Sequence, residues 1–439
     1  MKACRHSPLP LLTHAASRRS LVCAALWAAA LHAVAGQAMT PSLPTLTSTQ
    51  REEMHRAAQR RHWLEMQAKT TVERTLLVQS LEAARAYYLN QQLPQGNFVY
   101  ARDIVSNESY EDDNQVRQAG ALWGLACLNR DRPTNPSRRA VVRGLDFFFR
   151  NSTPLRMGHT APVYPGTSVV KTGTAALVCL AITELWRGQE NYMTGAGRGL
   201  YDSWLSIYLD YLRAMEMDDG SWGGKYHITS NQREPIASPY YDGETLLAYC
   251  RAARYMGRKE LIPRIEAAAP LLAARYTVDA WKKNLDSEET KGFFQWGCMA
   301  FAEYVEAEWK QADLIADAAT ALAYWQLYEY EAHTKDGNTA YAVEGLLGVY
   351  KIARLQGKTQ LMTQIRTVVE DILSHIVTWQ VGGPAEKANP FLAELPVKAP
   401  GVQGGIMSSK DSGKVRIDIV QHQVHAMLMA LKILYPENP

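Results

Sequence analysis

Six apolar, small-residue-rich helical stretches recur along this chain, and they constrain its fold more than any other feature. Each is apolar almost all round, as in Gly-Ala-Leu-Trp-Gly-Leu-Ala at 120–126 and Gly-Glu-Thr-Leu-Leu-Ala at 243–248. A helix that is apolar on every side is buried among other helices. The six predicted buried helices lie at about 114–129, 171–187, 240–256, 294–307, 338–356 and 418–434.

A second kind of helix alternates with the first and carries Arg, Lys and Glu on one face. These amphipathic helices are predicted at about 68–91, 136–151, 196–216, 259–276, 309–331 and 358–378. One outer and one inner helix form a hairpin that cannot bury its own apolar face, so several hairpins must pack together. The sequence therefore predicts an all-α fold. An open helical solenoid is the alternative to a closed ring, and the long loops before the inner helices favour closure.

Six outer–inner hairpins of this kind resemble the (α/α)6 toroids, a superfamily of glycoside hydrolases, polysaccharide lyases and sugar epimerases. The resemblance covers about 68–435, and the toroid domain is predicted to span 68–439. The run Asp-Asp-Gly-Ser-Trp at 218–222 is similar to a turn that is common in these toroids. The resemblance implies a cleft at one end of the inner barrel, lined by the loops that enter the inner helices. The long connections are 92–113, 152–170, 217–239 and 379–417.

The N-terminal region is predicted to direct export. Arg18-Arg19 precede the apolar run 21–35, which is typical of a signal peptide and resembles the twin-arginine type. The predicted signal peptide is 1–36, followed by a linker and leading helix at 37–67. The apolar run is short for a membrane span. We expect a periplasmic or secreted protein with no stable membrane insertion after cleavage, and an uncleaved anchor is the alternative.

The charge balance and the cysteine pattern limit the classes of partner and site that are expected. The 47 basic and 44 acidic residues give a net charge of +3 with no block of one sign, so no nucleic acid partner is expected. The four cysteines of the predicted toroid lie inside apolar runs without C-x-x-C spacing, which indicates buried side chains. No cofactor and no metal are expected.

We call the point where each loop enters an inner helix an entrance to the barrel. Two basic residues lie at the first and second entrances. Arg117 is expected to bind a substrate carboxylate through two of its guanidinium nitrogens. An ion pair with Asp112 or Asp113 is the alternative. Lys171 is expected to contact an anionic ligand, and a solvated lysine is the alternative.

The third entrance carries Tyr241, Asp242 and Glu244 at the start of a buried helix. Positions two apart cannot point the same way along a helix, so one carboxylate can cap the helix while the other faces the cleft. Capping is the alternative interpretation of Asp242. An unpaired carboxylate inside an apolar helix is costly, so Glu244 needs a partner or a function.

The sixth entrance places Asp418, Gln421, His422 and His425 on one helical face by their spacing. Asp418 and His422 are predicted to pair, which would make His422 a general acid or base. A buried polar network is the alternative, and a metal site lacks an obvious third ligand. The glycine-rich run 401–413 is predicted to be a mobile flap.

These residues predict an exported glycoside hydrolase that acts on a poly- or oligosaccharide. Hydrolysis needs two carboxylates, for which Asp242 or Glu244 would pair with Asp418. The expected substrate-binding residues are Arg117, Tyr241, Trp296, Gln421 and Lys171. A polysaccharide lyase with Tyr241 or His422 as its base stays open. So does a non-catalytic polysaccharide-binding subunit. A sugar epimerase using His422 is disfavoured by the leader, and a terpenoid cyclase ranks last.

Overall fold

The computed structural model of the protein describes residues 71–188 and 196–437. The predicted signal peptide, the linker and the leading helix lie outside these residues. In chain order the α-helices are α1 (Arg74–Gln91), α2 (Gln115–Asp131), α3 (Asn135–Arg150), α4 (Thr172–Arg187), α5 (Ala196–Ala214), α6 (Pro239–Tyr255), α7 (Ile262–Ala274), α8 (Ala280–Lys283), α9 (Glu288–Glu306), α10 (Ala312–Trp325), α11 (Ala340–Leu355), α12 (Thr359–Ile376), α13 (Pro390–Glu394) and α14 (Ile417–Ile433).

The inner helices close into a ring. Helices α2, α4, α6, α9, α11 and α14 each pack on the next, and α14 packs back on α2. The outer helices α1, α3, α5, α7, α10 and α12 lie against them from outside. The predicted (α/α)6 toroid is therefore confirmed, and the open solenoid is wrong. The ring closes because each inner helix is apolar on all sides and needs two neighbours to bury that surface.

Glycine lets the inner helices approach one another closely. A Cβ added at Gly348 on α11 would lie 2.9 Å from the carbonyl oxygen of Cys298 on α9. A Cβ added at Gly243 on α6 would lie 2.6 Å from the Cβ of Trp296. Contacts this short leave no room for a side chain. At Gly348 and Gly243 the backbones of neighbouring inner helices therefore approach each other closely.

The fourth inner helix begins earlier than predicted. Helix α9 starts at Glu288 instead of about 294, with Ser287 as its N-cap accepting a hydrogen bond from the Thr290 N–H. The preceding outer helix α7 continues through a π-helical turn, Arg275–Asp279, into α8 and leaves only 284–287 as a loop. The polar first turn of α9 hid its start. Trp296 therefore lies well inside the helix and not at its entrance.

Short strands organise the long loops at the entrance end. They are β1 (Ala101–Asp103), β2 (Ser152–Pro154), β3 (Thr160–Pro162), β4 (Val169–Lys171), β5 (Lys225–His227), β6 (Gln232–Arg233) and β7 (Lys414–Arg416). All pairings are antiparallel: β1 with β7, β2 with β3, and β5 between β4 and β6. The loops of neighbouring hairpins are thereby tied to each other around the rim.

The segment 401–413 is not a free flap. The Gly404 N–H donates to the Val381 carbonyl, the Val381 N–H donates to the Gly405 carbonyl, and the Met407 N–H donates to the Trp379 carbonyl. Val402 and Met407 are fully buried. The prediction of a mobile flap is wrong because the glycines here serve close backbone packing.

The far end of the barrel is sealed by buried ion pairs. Glu184 on α4 has no exposed surface and pairs with Arg130, Arg187 and Arg251. Arg251 Nε also lies 3.1 Å from Oε1 of Glu303, which belongs to α9. These cations stand near the carboxyl ends of the inner helices, where positive charge is favoured.

The cysteines and the helix lengths can be compared with the predictions over the described residues. Cys127, Cys179, Cys250 and Cys298 are buried and free, as predicted. Among the helices that the structure describes, none combines the length and apolar character needed to cross a bilayer.

Candidate active site

The amino-terminal halves of the inner helices bring polar side chains to the centre of the barrel. Helix α11 contributes Glu344, α9 contributes Gln295, and α14 contributes His422 and His425. Helix α6 adds Glu244, which lies against Gly173 on α4. These side chains come from four inner helices, and those from α9, α11 and α14 contact one another.

Glu344 is clamped between two histidines. Its Oε2 lies 2.9 Å from His422 Nδ1, and its Oε1 lies 2.6 Å from His425 Nδ1. Gln295 Nε2 donates a further hydrogen bond to Oε2 at 2.6 Å. Burial alone would raise the pKa of Glu344, but the two histidines outweigh it and hold the pKa below its usual value. Glu344 is therefore an ionised carboxylate with no exposed surface.

The ionised carboxylate fixes the tautomer of its partners. A carboxylate only accepts hydrogen bonds, so Nδ1 of each ring must carry the proton. In neutral His422 this leaves the lone pair on Nε2. The His422 side chain is 23% exposed, whereas that of His425 is 2% exposed. Only His422 is thus open to a ligand.

His425 lies beneath this pair in an aromatic layer. Its ring centroid is 4.4 Å from that of Trp123, which in turn lies 5.1 Å from Trp296. Burial lowers the pKa of His425, and Glu344 opposes this shift without reversing it. His425 is accordingly a neutral, sealed donor that holds the second oxygen of Glu344.

Glu244 is a buried carboxyl group without a partner. It is 3% exposed, and none of the described residues donates a hydrogen bond to its Oε2. Burial raises the pKa of Glu244 well above its usual value, with no neighbouring charge to counter it. Burial therefore favours the neutral, protonated form of this group. A protonated carboxyl in a polar barrel centre can donate a hydrogen bond or a proton.

Asp242 is occupied by the surrounding protein. Its Oδ1 accepts a hydrogen bond from the Trp222 N–H at 2.9 Å, and its Oδ2 accepts one from the Tyr276 hydroxyl at 2.5 Å. It has no exposed surface. Burial raises the pKa of Asp242 to about 7 despite these donors. The residue ties the 218–222 turn and the π-helical turn to α6, and it does not reach the cleft.

Asp418 binds arginines and not His422. Arg416 contacts both of its oxygens, with Nη2 at 2.6 Å from Oδ2, and Arg117 Nε lies 3.3 Å from Oδ2. Burial would raise the pKa of Asp418, but Arg416 and Arg117 hold it below its usual value. The predicted Asp418–His422 pair is wrong because Arg416, two residues earlier, takes the carboxylate. Arg117 likewise pairs with Asp418 and not with Asp112 or Asp113.

The other predicted binding residues divide into buried and accessible ones. Trp296 is 3% exposed and packs in the aromatic layer, so it offers little surface for stacking. Gln421 is also buried, with Nε2 at 3.3 Å from His422 Nδ1. Tyr241 is half-buried, and a Cβ added at Gly173 would lie 2.5 Å from its Cδ1. Lys171 is half-buried on the rim.

Glu344 and Gln295 are the site residues that sequence reasoning did not select. Glu344 is a carboxylate inside an apolar helix, but the sequence alone does not reveal which helix faces it. Within the described residues, no group of three or more His, Cys, Asp and Glu side chains is arranged to hold a metal ion.

The fold is similar to those of several sugar-converting enzymes. A D-mannose isomerase matches with a TM-score of 0.56 and 12% identity, over 82% of this chain and 98% of that one. A cellobiose 2-epimerase from Spirochaeta thermophila matches with a TM-score of 0.53 and 15% identity, over 82% and 97%.

A family 76 glycoside hydrolase (mannosidase) from Bacteroides thetaiotaomicron matches with a TM-score of 0.56 and 10% identity, over 83% of this chain and 100% of that one. No protein-family model and no curated protein matches the chain. The likeness therefore establishes the (α/α)6 toroid fold that these enzymes share.

Proposed function

We propose that this chain is a carbohydrate-active enzyme that moves a proton at a sugar carbon, with His422 as the base. The observation that carries the proposal is the 2.9 Å contact between His422 Nδ1 and the ionised, buried Glu344. A carboxylate that holds Nδ1–H orients the ring and stabilises the imidazolium that forms when Nε2 takes a proton. His425 shares the same carboxylate, but its side chain is only 2% exposed and does not reach a ligand.

The proposed reaction begins at a carbon next to a carbonyl or carboxylate. The C–H bond breaks, Nε2 of His422 gains the proton, and the electron pair moves onto the neighbouring oxygen. Return of a proton to the opposite face gives the epimer. Loss of a group from the adjacent carbon gives an elimination product instead.

Glu244 is the proposed acid. Burial raises its pKa and so favours the protonated form, and no described residue donates to or accepts from its Oε2. It would supply the proton on the opposite face, or protonate a leaving oxygen. A base and an acid with opposite protonation states in one site are what such chemistry requires. The D-mannose isomerase and the cellobiose 2-epimerase among the fold neighbours support this class of reaction on this scaffold.

A glycoside hydrolase is the second candidate. The protonated Glu244 favours it, because hydrolysis needs an acid at the leaving oxygen. The mannosidase among the fold neighbours also supports it. Hydrolysis also needs a second carboxylate, and neither of the two candidates is well placed to act as one. Asp242 is sealed from the cleft, and Asp418 is held by two arginines that reduce its basicity.

The test is a screen of purified protein on acidic and neutral oligosaccharides, with products separated into epimers, unsaturated sugars and new reducing ends. We expect epimerised or unsaturated products that disappear in His422→Gln. The matched control is His375→Gln on the outer helix α12, which should leave turnover unchanged. New reducing ends that persist in His422→Gln would favour the hydrolase and overturn the proposed base.

We also propose that the enzyme acts outside the cytoplasm, as the predicted signal peptide at 1–36 suggests. Expression of the full chain followed by mass spectrometry of the mature N-terminus tests this. Cleavage near residue 36 in an exported fraction is expected. An intact N-terminus in the cytoplasm would contradict it.

A further inference from the structure

Two lysines face each other on the rim beside Glu244. In the β4–β5 pair, Lys171 and Lys225 are directly opposed Cα partners. Like charges at such a position are destabilising because the two side chains leave the same face of the sheet at close range. A pair of this kind is tolerated when something negative lies between the two cations.

The carboxylates nearby do not supply that charge to Lys171. Lys225 pairs with Glu234 at 3.2 Å, and Arg117 and Arg416 share Asp418. None of the residues in the described parts of the chain forms an ion pair with Lys171. Glu244 is poorly suited to this as well, because burial favours its neutral form.

Lys171 is also close to the proposed acid. It stands two residues before Gly173, the position that Glu244 Oε2 and Tyr241 contact from α6. Burial, Lys225 and Arg117 together lower the pKa of Lys171, so the cations act on one another.

We infer that Lys171, Lys225 and Arg117 form a subsite for an anionic substituent of the sugar, a carboxylate or a sulfate ester. This rests on the proposed function in that the ligand is a sugar. A carboxylate bound there would also draw electron density from the neighbouring carbon, which makes its proton easier to remove. The substrate class is then an acidic oligosaccharide, with a uronic acid as the carboxylate case.

Binding separates this inference from the chemistry. Isothermal titration calorimetry on the His422→Gln protein would compare an oligogalacturonate, a sulfated oligosaccharide and a neutral cello-oligosaccharide of equal length. We expect at least one acidic ligand to bind, and to bind about tenfold more weakly in the added Lys171→Gln variant. The matched control is Lys358→Gln at the opposite end of the barrel, where we expect less than about a twofold change. Affinity should fall as salt rises.

The ligand that binds most tightly identifies the anionic group that the subsite recognises. Preference for the oligogalacturonate assigns a carboxylate, and preference for the sulfated ligand assigns a sulfate. Equal binding of the neutral ligand, no binding of either acidic ligand, or no effect of Lys171→Gln would overturn the inference. Turnover of a neutral sugar that is lost in His422→Gln would leave the proposed function standing without the subsite. Lys171-dependent binding with no proton transfer in the wild-type protein would leave the subsite standing without the proposed function.

Discussion

His422 and Glu344 are 78 residues apart in the chain, yet Nδ1 of the histidine lies 2.9 Å from Oε2 of the glutamate. They belong to neighbouring inner helices, α14 and α11, which touch because the ring is closed. The pair sits at the centre of the barrel with the glutamate buried and the histidine partly exposed. An orienting carboxylate behind an accessible imidazole is the geometry of a general base.

Replacing Glu344 with glutamine should remove most of the activity. The amide NH2 would face a histidine Nδ1–H, so the orienting hydrogen bond on one side is lost along with the charge that stabilises the imidazolium. We expect turnover to fall by about 10²–10⁴-fold. Steady-state kinetics with circular dichroism as a check on the fold would measure it. Full activity in a folded Glu344→Gln protein would show that His422 does not depend on this carboxylate.

Glu244→Gln should abolish the acid function without harming the fold. Glutamine is a neutral isostere of the protonated carboxyl, so the free energy of unfolding should not fall at neutral pH. Turnover should fall by about 10²–10⁴-fold. The matched control is Glu260→Gln, an exposed glutamate in the turn before α7, which should change neither. Undiminished turnover in Glu244→Gln would remove the assignment.

The stability of the protein should depend on the proton of Asp242. The pKa of Asp242 is raised by burial from 3.8 to about 7, so the folded state keeps a proton that the unfolded state loses in that window. Its contribution to the free energy of unfolding therefore falls as pH rises from 3.8 to about 7. Asp242→Asn cannot lose this proton. Its stability relative to wild type should rise across the window and level off above it.

Chemical denaturation across that window would measure the difference between the two proteins. A difference that does not change with pH would mean that the pKa of Asp242 is the same in the folded and unfolded states, and would contradict the raised pKa. A difference that falls with rising pH would mean that the donors Tyr276 and Trp222 outweigh burial.

Gly173→Ala should displace the proposed acid Glu244. An added Cβ would collide with Oε2 of Glu244 and lie 2.5 Å from Cδ1 of Tyr241, so the acid must move. We expect turnover to fall by more than about tenfold, since a displaced catalytic group loses its alignment. Gly199→Ala on α5 is the control, because its added Cβ meets nothing within 4 Å. Equal kinetics for the two variants would contradict the placement of Glu244.

The buried ion pairs at the far end should govern stability and not chemistry. Glu184→Gln leaves Arg130 and Arg251 without their shared carboxylate and should cost about 3–5 kcal/mol. The exposed pair Glu288–Lys291 offers a control, since Glu288→Gln should cost less than about 1 kcal/mol. Denaturant unfolding would compare the two. Similar losses for both would show that the buried network is solvated.

The fold could be predicted because its signal is repeated. Six apolar helices alternating with amphipathic ones each need two neighbours, and closure follows from burial. The start of α9 escaped prediction because Glu288, Glu289 and Lys291 make its first turn polar. Local composition there resembles a loop, and only packing against α6 and α11 shows that the turn is helical.

The site was harder to predict because spacing within one helix does not reveal partners on another. Asp418 and His422 have the right separation, but Arg416 and Arg117 compete for the carboxylate from β7 and α2. Glu344 could be recognised as unusual, but its two histidine partners lie on α14. Glu244 was predicted to need a partner or a function, and the structure gives its Oε2 no hydrogen bond from the described residues while burial raises its pKa.

The central claim is that His422 takes a proton from a sugar carbon, and exchange in heavy water tests it most directly. Purified protein is incubated with acidic and neutral oligosaccharides in D2O, and carbon-bound deuterium is detected by NMR. We expect deuterium at one carbon beside a carbonyl or carboxylate with the wild-type protein, and none with His422→Gln. Conversion of a sugar without any carbon-bound deuterium, retained in His422→Gln, would contradict it.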